Sequence, residues 1–326
     1  MTTKNITEEI TGEWMRKRLN VVAGMVQEKL GDDYETHTRI IPKNNGTAYC
    51  IEIRKKQEMV SALIHTEDFP VFYGDMQLAD QLVEIYKSGD HKERLIPELE
   101  KYQHNLKETI LGNVFPVLVG RKGNEEFIRG KAHLPFLDME ILFDISTRKG
   151  DEECYSVMVT EVMLNLLGIT AEELLVTALE NLPYQIHDIA EMIGALVLPP
   201  DIRFSGQPDP VMLVISNEDG FRGAATLLKK EALQEAAGML GGDILILPSS
   251  VHEIICLPYE EDIVGYCWKM VEEVNESTVK PEERLTDSVY RYNLITDTVE
   301  IAGDRKPGCI PEIQEEEKGS EERDIK

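Results

Sequence analysis

Residues 211–257 read VMLVISNEDGFRGAATLLKKEALQEAAGMLGGDILILPSSVHEIICL, and they carry the clearest hydrophobic pattern in the chain. Short apolar runs bounded by Gly, Asn, Pro or Ser are typical of buried strands. Apolar residues three to four apart that end at Gly241-Gly242 are typical of a helix with a glycine at its end. The pattern predicts a ββαββ module, with strands at 211–216, 224–228, 243–247 and 251–257, a turn at Asp219-Gly220 and a helix over 229–240.

The flanks of this module suggest a division of the chain into two domains and a tail. A helix over 260–274 and a hairpin of 288–292 with 298–301 complete a predicted C-terminal domain over 211–302. Residues 199–210 contain four prolines, which cannot continue a helix or a central strand, so they are predicted to be a linker. Residues 303–326 are acidic and lack apolar periodicity, and we expect them to be disordered.

Residues 1–198 are predicted to form an N-terminal α+β domain. It opens with an amphipathic helix over 6–30 and a hairpin at Asn45-Gly46, the preferred type I′ turn pair. Its other predicted elements are strands at 49–54, 60–64, 115–119, 137–145 and 156–159, helices within 77–111, helices capped by Thr160 and Thr170, and a helix over 185–198. The predicted fold class is therefore α+β, with antiparallel sheets packed against helices.

The charge is strongly negative and unevenly placed. Acidic residues outnumber basic ones 60 to 34, which gives a net charge of −26. Residues 131–268 hold 23 acidic and 7 basic side chains, whereas residues 1–60 are close to neutral. Direct nucleic-acid binding is not expected, because phosphate contacts need clustered Lys and Arg. The acidic region is either a solvated face or a surface for a basic partner.

No stretch has the length of a signal peptide or a membrane span, so we expect a cytoplasmic protein that does not bind membranes. The five cysteines lie far apart without a CxxC pair, and neither a P-loop nor a GxGxxG fingerprint occurs. We therefore expect no cofactor. Gly220-Phe221-Arg222-Gly223 matches the GxxG loop of KH domains, but it follows a strand, and a hairpin turn is the better interpretation.

The most suggestive cluster for chemistry lies at residues 248–253. Ser250, His252 and Glu253 offer a hydroxyl, an imidazole and a carboxylate. On a strand, Ser250 and His252 would share a face and Glu253 would point away. A Ser–His contact could support nucleophilic catalysis, but the GxSxG elbow is absent. The alternative is a serine-rich turn whose hydroxyls bond local backbone.

A second, weaker candidate lies on the predicted strand over 137–145. Asp138, Glu140 and Asp144 alternate with apolar residues, which predicts one wet face on an antiparallel strand. Such a carboxylate ladder could bind Mg²⁺ or Ca²⁺ if a second strand contributed ligands. A solvated strand face explains the same pattern without a metal.

Three segments resemble a known family. They are His133-x-x-x-Phe136-Leu137-Asp138, the run from Leu167-Gly168-Ile169-Thr170 to Ala178-Leu179-Glu180-Asn181, and Leu247-Pro248-Ser249-Ser250-Val251-His252-Glu253. The chain resembles an uncharacterised domain-of-unknown-function family of gut Firmicutes and their mobile elements. Its Pro-Ser-Ser-x-His-Glu segment is the most specific part. The resemblance implies a cytoplasmic bacterial protein of a kind that mobile elements can carry, and it brings no activity, cofactor or catalytic residue.

Three functional hypotheses follow. The first is a non-enzymatic accessory protein that binds a protein partner, since no nucleotide loop, metal cluster or recognised nucleophile is present. The second is a small hydrolase or ligand-binding enzyme in which Ser250 is the nucleophile and His252 the general base. The third is an acidic nucleic-acid mimic. The sequence does not determine the oligomeric state.

Overall fold

The computed structural model describes residues 3–57, 61–67, 69–70, 73–88, 106–146, 156–189, 212–248 and 250–303. Within these residues the strands form three antiparallel sheets packed against helices. The predicted α+β fold class is confirmed.

The first sheet belongs to an N-terminal unit. Its elements are α1 (Thr3–Leu30), β1 (Tyr34–Lys43), β2 (Gly46–Lys55), β3 (Ala62–His65) and α2 (Asp75–Ser88). Leu19, Val22 and Val26 of α1 share a core with Ile51 and Ile53 of β2 and with apolar side chains of α2. Because their spacing along the sequence follows the helical period, the first helix was predictable.

The tip of the β1–β2 hairpin differs by one residue from the prediction. Lys43 lies opposite Gly46, so the two-residue loop is Asn44-Asn45 and not Asn45-Gly46. Only Asn45 of this pair has a positive φ, 52°. Asparagine tolerates that conformation because its short side chain can bond nearby backbone groups.

The same hairpin tip attaches the N-terminal unit to the rest of the chain. Asn44 Nδ2 donates to the carbonyls of Glu282 and Arg284, at 2.9 and 3.1 Å. Asn45 Nδ2 donates to the carbonyls of Pro281 and Arg284, at 2.9 and 2.8 Å. Four neutral hydrogen bonds therefore join the tip to main-chain oxygens of one short segment.

The second sheet is built around a central strand. Its elements are α3 (Leu106–Asn113), β4 (Val114–Gly120), α4 (Glu125–Ile128), β5 (His133–Phe136), β6 (Met139–Ser146) and β7 (Ser156–Met158). Strand β6 pairs with β4, β5 and β7. The predicted wet strand face is wrong, because Glu140 and Asp144 are buried and Asp138 lies in the turn before β6. Alternation did not mark a solvated face here, since polar partners cover the carboxylates.

Two helices follow, α5 (Glu161–Leu167) and α6 (Ala171–Glu180), and both predicted N-caps are confirmed. The Thr160 hydroxyl accepts from the N–H of Met163, and Thr170 forms a capping box with Glu173. The helix predicted over 185–198 is wrong over residues 185–188, whereas Ile189 is helical. Residues Gln185–Asp188 form strand β8, which extends the third sheet by pairing with β9; residues 190–198 lie outside the described part.

The third sheet has the order β13-β12-β10-β11-β9-β8. Its remaining elements are β9 (Leu213–Ser216), α7 (Lys230–Leu240), β10 (Ile244–Pro248), β11 (Ile254–Pro258), α8 (Val264–Ser277), β12 (Tyr290–Asn293) and β13 (Thr298–Ile301). Helix α7 packs on the face that carries Ile244 and Ile246, and α8 packs on the face that carries Leu245 and Leu247. Both predicted helices and the closing hairpin are confirmed.

The second strand of the predicted ββαββ module is wrong. Residues Gly223–Leu228 form a 3₁₀ helix, and five of them, from Gly223 to Leu227, are buried. A short apolar run does not distinguish a buried strand from a buried helical turn by periodicity. The module is therefore a strand, a 3₁₀ turn, a helix and two strands.

The second and third sheets share one hydrophobic core. Its buried members lie between Ile110 and Leu182 and between Leu213 and Tyr292. The linker predicted at 199–210 lies outside the described residues, as does the predicted tail from residue 304, so the domain division stays a prediction.

Among the described helices, none is long and apolar enough by itself to span a membrane. Helices α5 and α6 meet that criterion only as a pair, with an 89° bend between them.

Candidate functional site

A loop over residues 217–223, called the 217–223 loop below, leaves β9 and leads into the 3₁₀ helix. Asn217 closes it, because Nδ2 donates to the carbonyl of Phe221 at 2.8 Å and Oδ1 accepts from the N–H of Phe221 at 3.1 Å. Gly220 adopts a φ of 64°, and its N–H bonds the carbonyl of Asn217 at 3.2 Å. The predicted turn is confirmed, although it joins a strand to a 3₁₀ helix.

His252 fixes this loop from the connection between β10 and β11. Its Nδ1 accepts the N–H of Arg222 at 3.2 Å, and its carbonyl accepts the hydroxyl of Ser216 at 2.7 Å. The rings of His252 and Phe221 lie 5.6 Å apart. Since Nδ1 accepts a hydrogen bond, a neutral imidazole here carries its own proton on Nε2.

Gly223 is required by the close approach of these segments. A Cβ on Gly223 would lie 2.5 Å from the carbonyl oxygen of His252 and 2.6 Å from the backbone nitrogen of Asn217, and closer still to Ser216 Oγ. Two of these three neighbours are backbone atoms, which cannot rotate away. The 217–223 loop is thus built on a position where no side chain fits.

Ser250, His252 and Glu253 lie together on a loop, and the strand predicted over 251–257 begins only at Ile254. Ser250 Oγ accepts the N–H of His252 at 2.9 Å and donates to Glu253 Oε1 at 3.2 Å. In the described part of the chain no hydrogen bond joins Ser250 Oγ to the imidazole. The hydroxyl bonds local backbone, as in the turn alternative, and catalysis by these residues stays a prediction.

Arg222 joins the 217–223 loop to the second sheet. Its guanidinium forms an ion pair with Asp144 Oδ2, and Ser156 Oγ donates to the same oxygen at 2.5 Å. The guanidinium also lies 5.0 Å from the ring centre of Phe221. Arg222 has a φ of 57°, a left-handed conformation that is uncommon outside glycine. A strained residue is therefore held in place by a buried carboxylate.

A cavity of about 270 Å³ lies between the 217–223 loop and the second sheet. Its lining includes Asp144 and Arg222, the aromatic residues Phe115 and Phe221, and the amides of Asn181 and Asn217. Asp144 is 2% exposed, and among the described residues its Oδ1 has no hydrogen-bond partner. Ser250, His252 and Glu253 line a separate, more open concavity. The sequence pattern identified Asp144. Arg222 lies in the GxxG match at 220–223 and Asn181 in a segment of the family resemblance, but neither was predicted to be a site residue.

The other predicted metal-ligand candidates have their own partners. Asp138 accepts the hydroxyls of Tyr290 and Ser288, both at 2.7 Å. Burial raises the pKa of Tyr290, and the charge of Asp138 adds to the effect. Glu140 accepts from Arg121 Nε at 2.6 Å. In the described part of the chain, no group of three or more His, Cys, Asp or Glu side chains could hold a metal ion.

Two cysteines of the third sheet and α8 are poor nucleophiles. Burial raises the pKa of the Cys267 thiol to about 11, and burial raises that of Cys256 further. A thiolate is the reactive form, so neither side chain is activated at neutral pH.

A family model described as "Family of unknown function (DUF5688)" matches residues 16–294. The chain belongs to this family. The match confirms that the resemblance is to an uncharacterised family, and the site residues of this DUF5688 chain all lie within it. No curated protein and no solved structure matches the chain.

Proposed function

We propose that this DUF5688 chain is a non-enzymatic accessory protein that binds another protein, one that presents apolar and basic side chains. The contact is the outer face of α5 and α6, called the α5–α6 surface below, with Val162, Leu166 and Val176 as its apolar members. One observation carries the proposal: these two helices expose large apolar side chains in a segment without a single cation.

The apolar part of the α5–α6 surface is unusually open. Val162 and Leu166 are 65% and 75% exposed, and they lie four residues apart on one side of α5. Leu164 of the same helix is buried, so α5 is anchored to the core and presents a fixed outer side. Covering a side chain of this size contributes about 1.5–3 kcal/mol to association.

The charge around these side chains favours a basic protein over other partners. Residues 156–189 contain Glu161, Glu172, Glu173, Glu180 and Asp188, and they contain no Lys or Arg. Lys131 lies beside Thr160 at the start of α5, and Lys229 Nζ is engaged with the carbonyls of Leu179 and Leu182 at the end of α6. The excess of carboxylates in the segment attracts the opposite charge and speeds encounter. The same sign repels nucleic acid and the anionic surface of a membrane.

The test is capture of partners from the native host by the tagged full chain at low and physiological salt. The test variant is Val162→Ser with Leu166→Ser. The control is Met239→Ser, which removes an apolar side chain that is 55% exposed on α7. We expect a stoichiometric protein that the wild type and the control retain and the double variant loses, with weaker capture as salt rises. A partner retained equally by the double variant would refute the α5–α6 surface.

A vesicle assay separates a protein partner from a membrane. The wild-type chain is expected not to sediment with neutral or anionic phospholipid vesicles. Sedimentation that the double variant abolishes would show that the apolar side chains enter lipid, and it would overturn the proposal.

A further inference from the structure

We propose that the cavity between the 217–223 loop and the second sheet binds a small organic cation with a primary ammonium group. This site is separate from the α5–α6 surface and does not depend on it. The proposal rests on an unpartnered buried carboxylate oxygen, on the hydrogen-bonding capacity of the lining and on its net charge.

The unpartnered oxygen is Oδ1 of Asp144, a cavity-lining residue that is 2% exposed. The other oxygen of this carboxylate is engaged, since Oδ2 accepts from Arg222 and Ser156. A buried acceptor without a donor is costly, and the cost is larger for a charged group. Oδ1 is itself covered, so a ligand N–H reaches it from the cavity only with a shift of the cavity wall, and that contact would remove this cost.

The Asn181 amide offers the cavity an acceptor and no free donor. Asn181 Nδ2 donates to the carbonyls of Leu111 and Val114, at 2.8 and 3.0 Å, which leaves its Oδ1 to accept. Both ends of the Asn217 amide are used by the backbone of Phe221. An ammonium group has three donors and no acceptor, so it complements such a lining.

The net charge of the described lining residues also favours a cationic ligand over an anionic one. Asp144, Glu218 and Asp219 contribute three carboxylates, and Arg222 contributes one guanidinium, so the lining carries a net charge of two negative units. Nη1 of Arg222 is already bonded to Asp144 and Ser156. An anionic ligand would therefore meet repulsion that one partly engaged cation does not offset.

The size of the cavity sets the class of ligand. About 270 Å³ is close to the lower limit of ordinary ligand pockets, ~300 Å³. Phe115 and Phe221 give the cavity two aromatic walls, which suit the methylene groups of an aliphatic amine and favour a nearby cation. The fit is to a short alkylamine or diamine.

The experiment is calorimetric titration of the full chain with 1,4-diaminobutane. Two ligands of similar length are the controls, the uncharged 1,4-butanediol and the dianion succinate. We expect saturable binding of the diamine that is at least about tenfold tighter than binding of either control, because only the diamine satisfies Asp144 and the net charge. Equal affinity for diamine and diol, or tighter binding of succinate, would overturn the proposal.

Variants locate the site. Glu218→Gln removes one exposed carboxylate of the lining, and we expect it to weaken diamine binding about threefold to tenfold. Glu276→Gln, an exposed carboxylate on α8 outside the cavity, is the matched control and should leave binding unchanged. Asp144→Asn should weaken binding further, and Glu218→Gln still tests the site if that variant fails to fold. Unchanged binding by Glu218→Gln would place the diamine elsewhere and refute the site.

Discussion

Replacing Gly223 by alanine puts a methyl group where three segments of the chain already meet. The new Cβ would lie 2.5 Å from the His252 carbonyl oxygen and 2.6 Å from the Asn217 nitrogen, and nearer still to Ser216 Oγ. The serine hydroxyl can rotate, but rotation breaks its 2.7 Å hydrogen bond to the His252 carbonyl. The contact of the new methyl group with the His252 oxygen is relieved only if the 217–223 loop moves away from His252. The contact with the Asn217 nitrogen is relieved only if the loop itself changes shape.

The expected cost follows from these two effects. Overpacking a filled site costs about 1–3 kcal/mol. Loss of the hydrogen bond from Ser216 costs a further ~1 kcal/mol. We therefore expect Gly223→Ala to lower the free energy of unfolding by about 2–4 kcal/mol. Adding Ser216→Ala should restore only part of it, because the contacts with backbone atoms remain.

Urea denaturation at 25 °C, followed by circular dichroism, measures this change. The matched control is Gly238→Ala in α7, where a Cβ would meet nothing within 4 Å. Alanine in a helix interior is favoured over glycine by about 0.5–1 kcal/mol, so the control should be slightly more stable than wild type. If Gly223→Ala were as stable as Gly238→Ala, the packing argument for the 217–223 loop would be wrong.

Two further substitutions test other contacts. Tyr290→Phe removes the hydroxyl that donates to Asp138, so we expect it to lower the free energy of unfolding, measured by urea denaturation, by about 1–3 kcal/mol. Tyr266→Phe, at an exposed position of α8, should change it little. Equal effects of the two substitutions would contradict this. Burial raises the pKa of Asp243, but hydrogen bonds from Arg291 and a backbone N–H outweigh it, so that the pKa lies below its usual range. Asp243 then stabilises the fold above pH ~4 and loses this contribution as the pH falls through its folded pKa. We therefore expect Asp243→Asn to have a lower free energy of unfolding than wild type at pH 7, and we expect this difference to be smaller at pH 3. A difference that does not vary with pH would argue against the ion pair.

The sequence predicted the parts of the fold that local chemistry determines. Thr170 and Glu173 lie three residues apart in a capping box, and the box forms. Gly241 follows the last apolar residue of a helical pattern, and it adopts a left-handed φ of 82° at the helix end. Each of these depends on neighbours within a few residues, which the sequence displays directly.

Elements that depend on distant partners were not predictable in the same way. Residues 185–188 continue an apolar pattern that suits a helix, yet they form a strand because β9 offers an open edge. Asp144 alternates with apolar residues as a solvated side chain would, yet it is buried because Arg222, 78 residues away, pairs with it. A single sequence does not display pairings of this separation.

The candidate site residues show the same difference between groups that are adjacent in sequence and groups that only the fold brings together. Ser250, His252 and Glu253 were identified because they are adjacent in sequence, and the structure places them on one loop. The cavity with Asp144 was missed as a site because its lining comes from the second sheet, from the end of α6 and from the 217–223 loop. Arg222 was visible only as part of the GxxG match at 220–223, which was interpreted as a turn.

Substitutions on the two sides of the contact between the hairpin tip and residues 281–284 should differ in how much they weaken the attachment of the N-terminal unit to the rest of the chain. Both asparagines donate to main-chain oxygens of residues 281–284, which every amino acid presents alike. Substitutions at Glu282 and Arg284 therefore leave these bonds in place. A change at Asn44 removes two bonds, and a change at Asn45 removes three, since Asn45 Oδ1 also accepts from Asn124 Nδ2. Because neutral amides make these contacts, ionic strength that screens interactions between surface charges leaves this attachment intact.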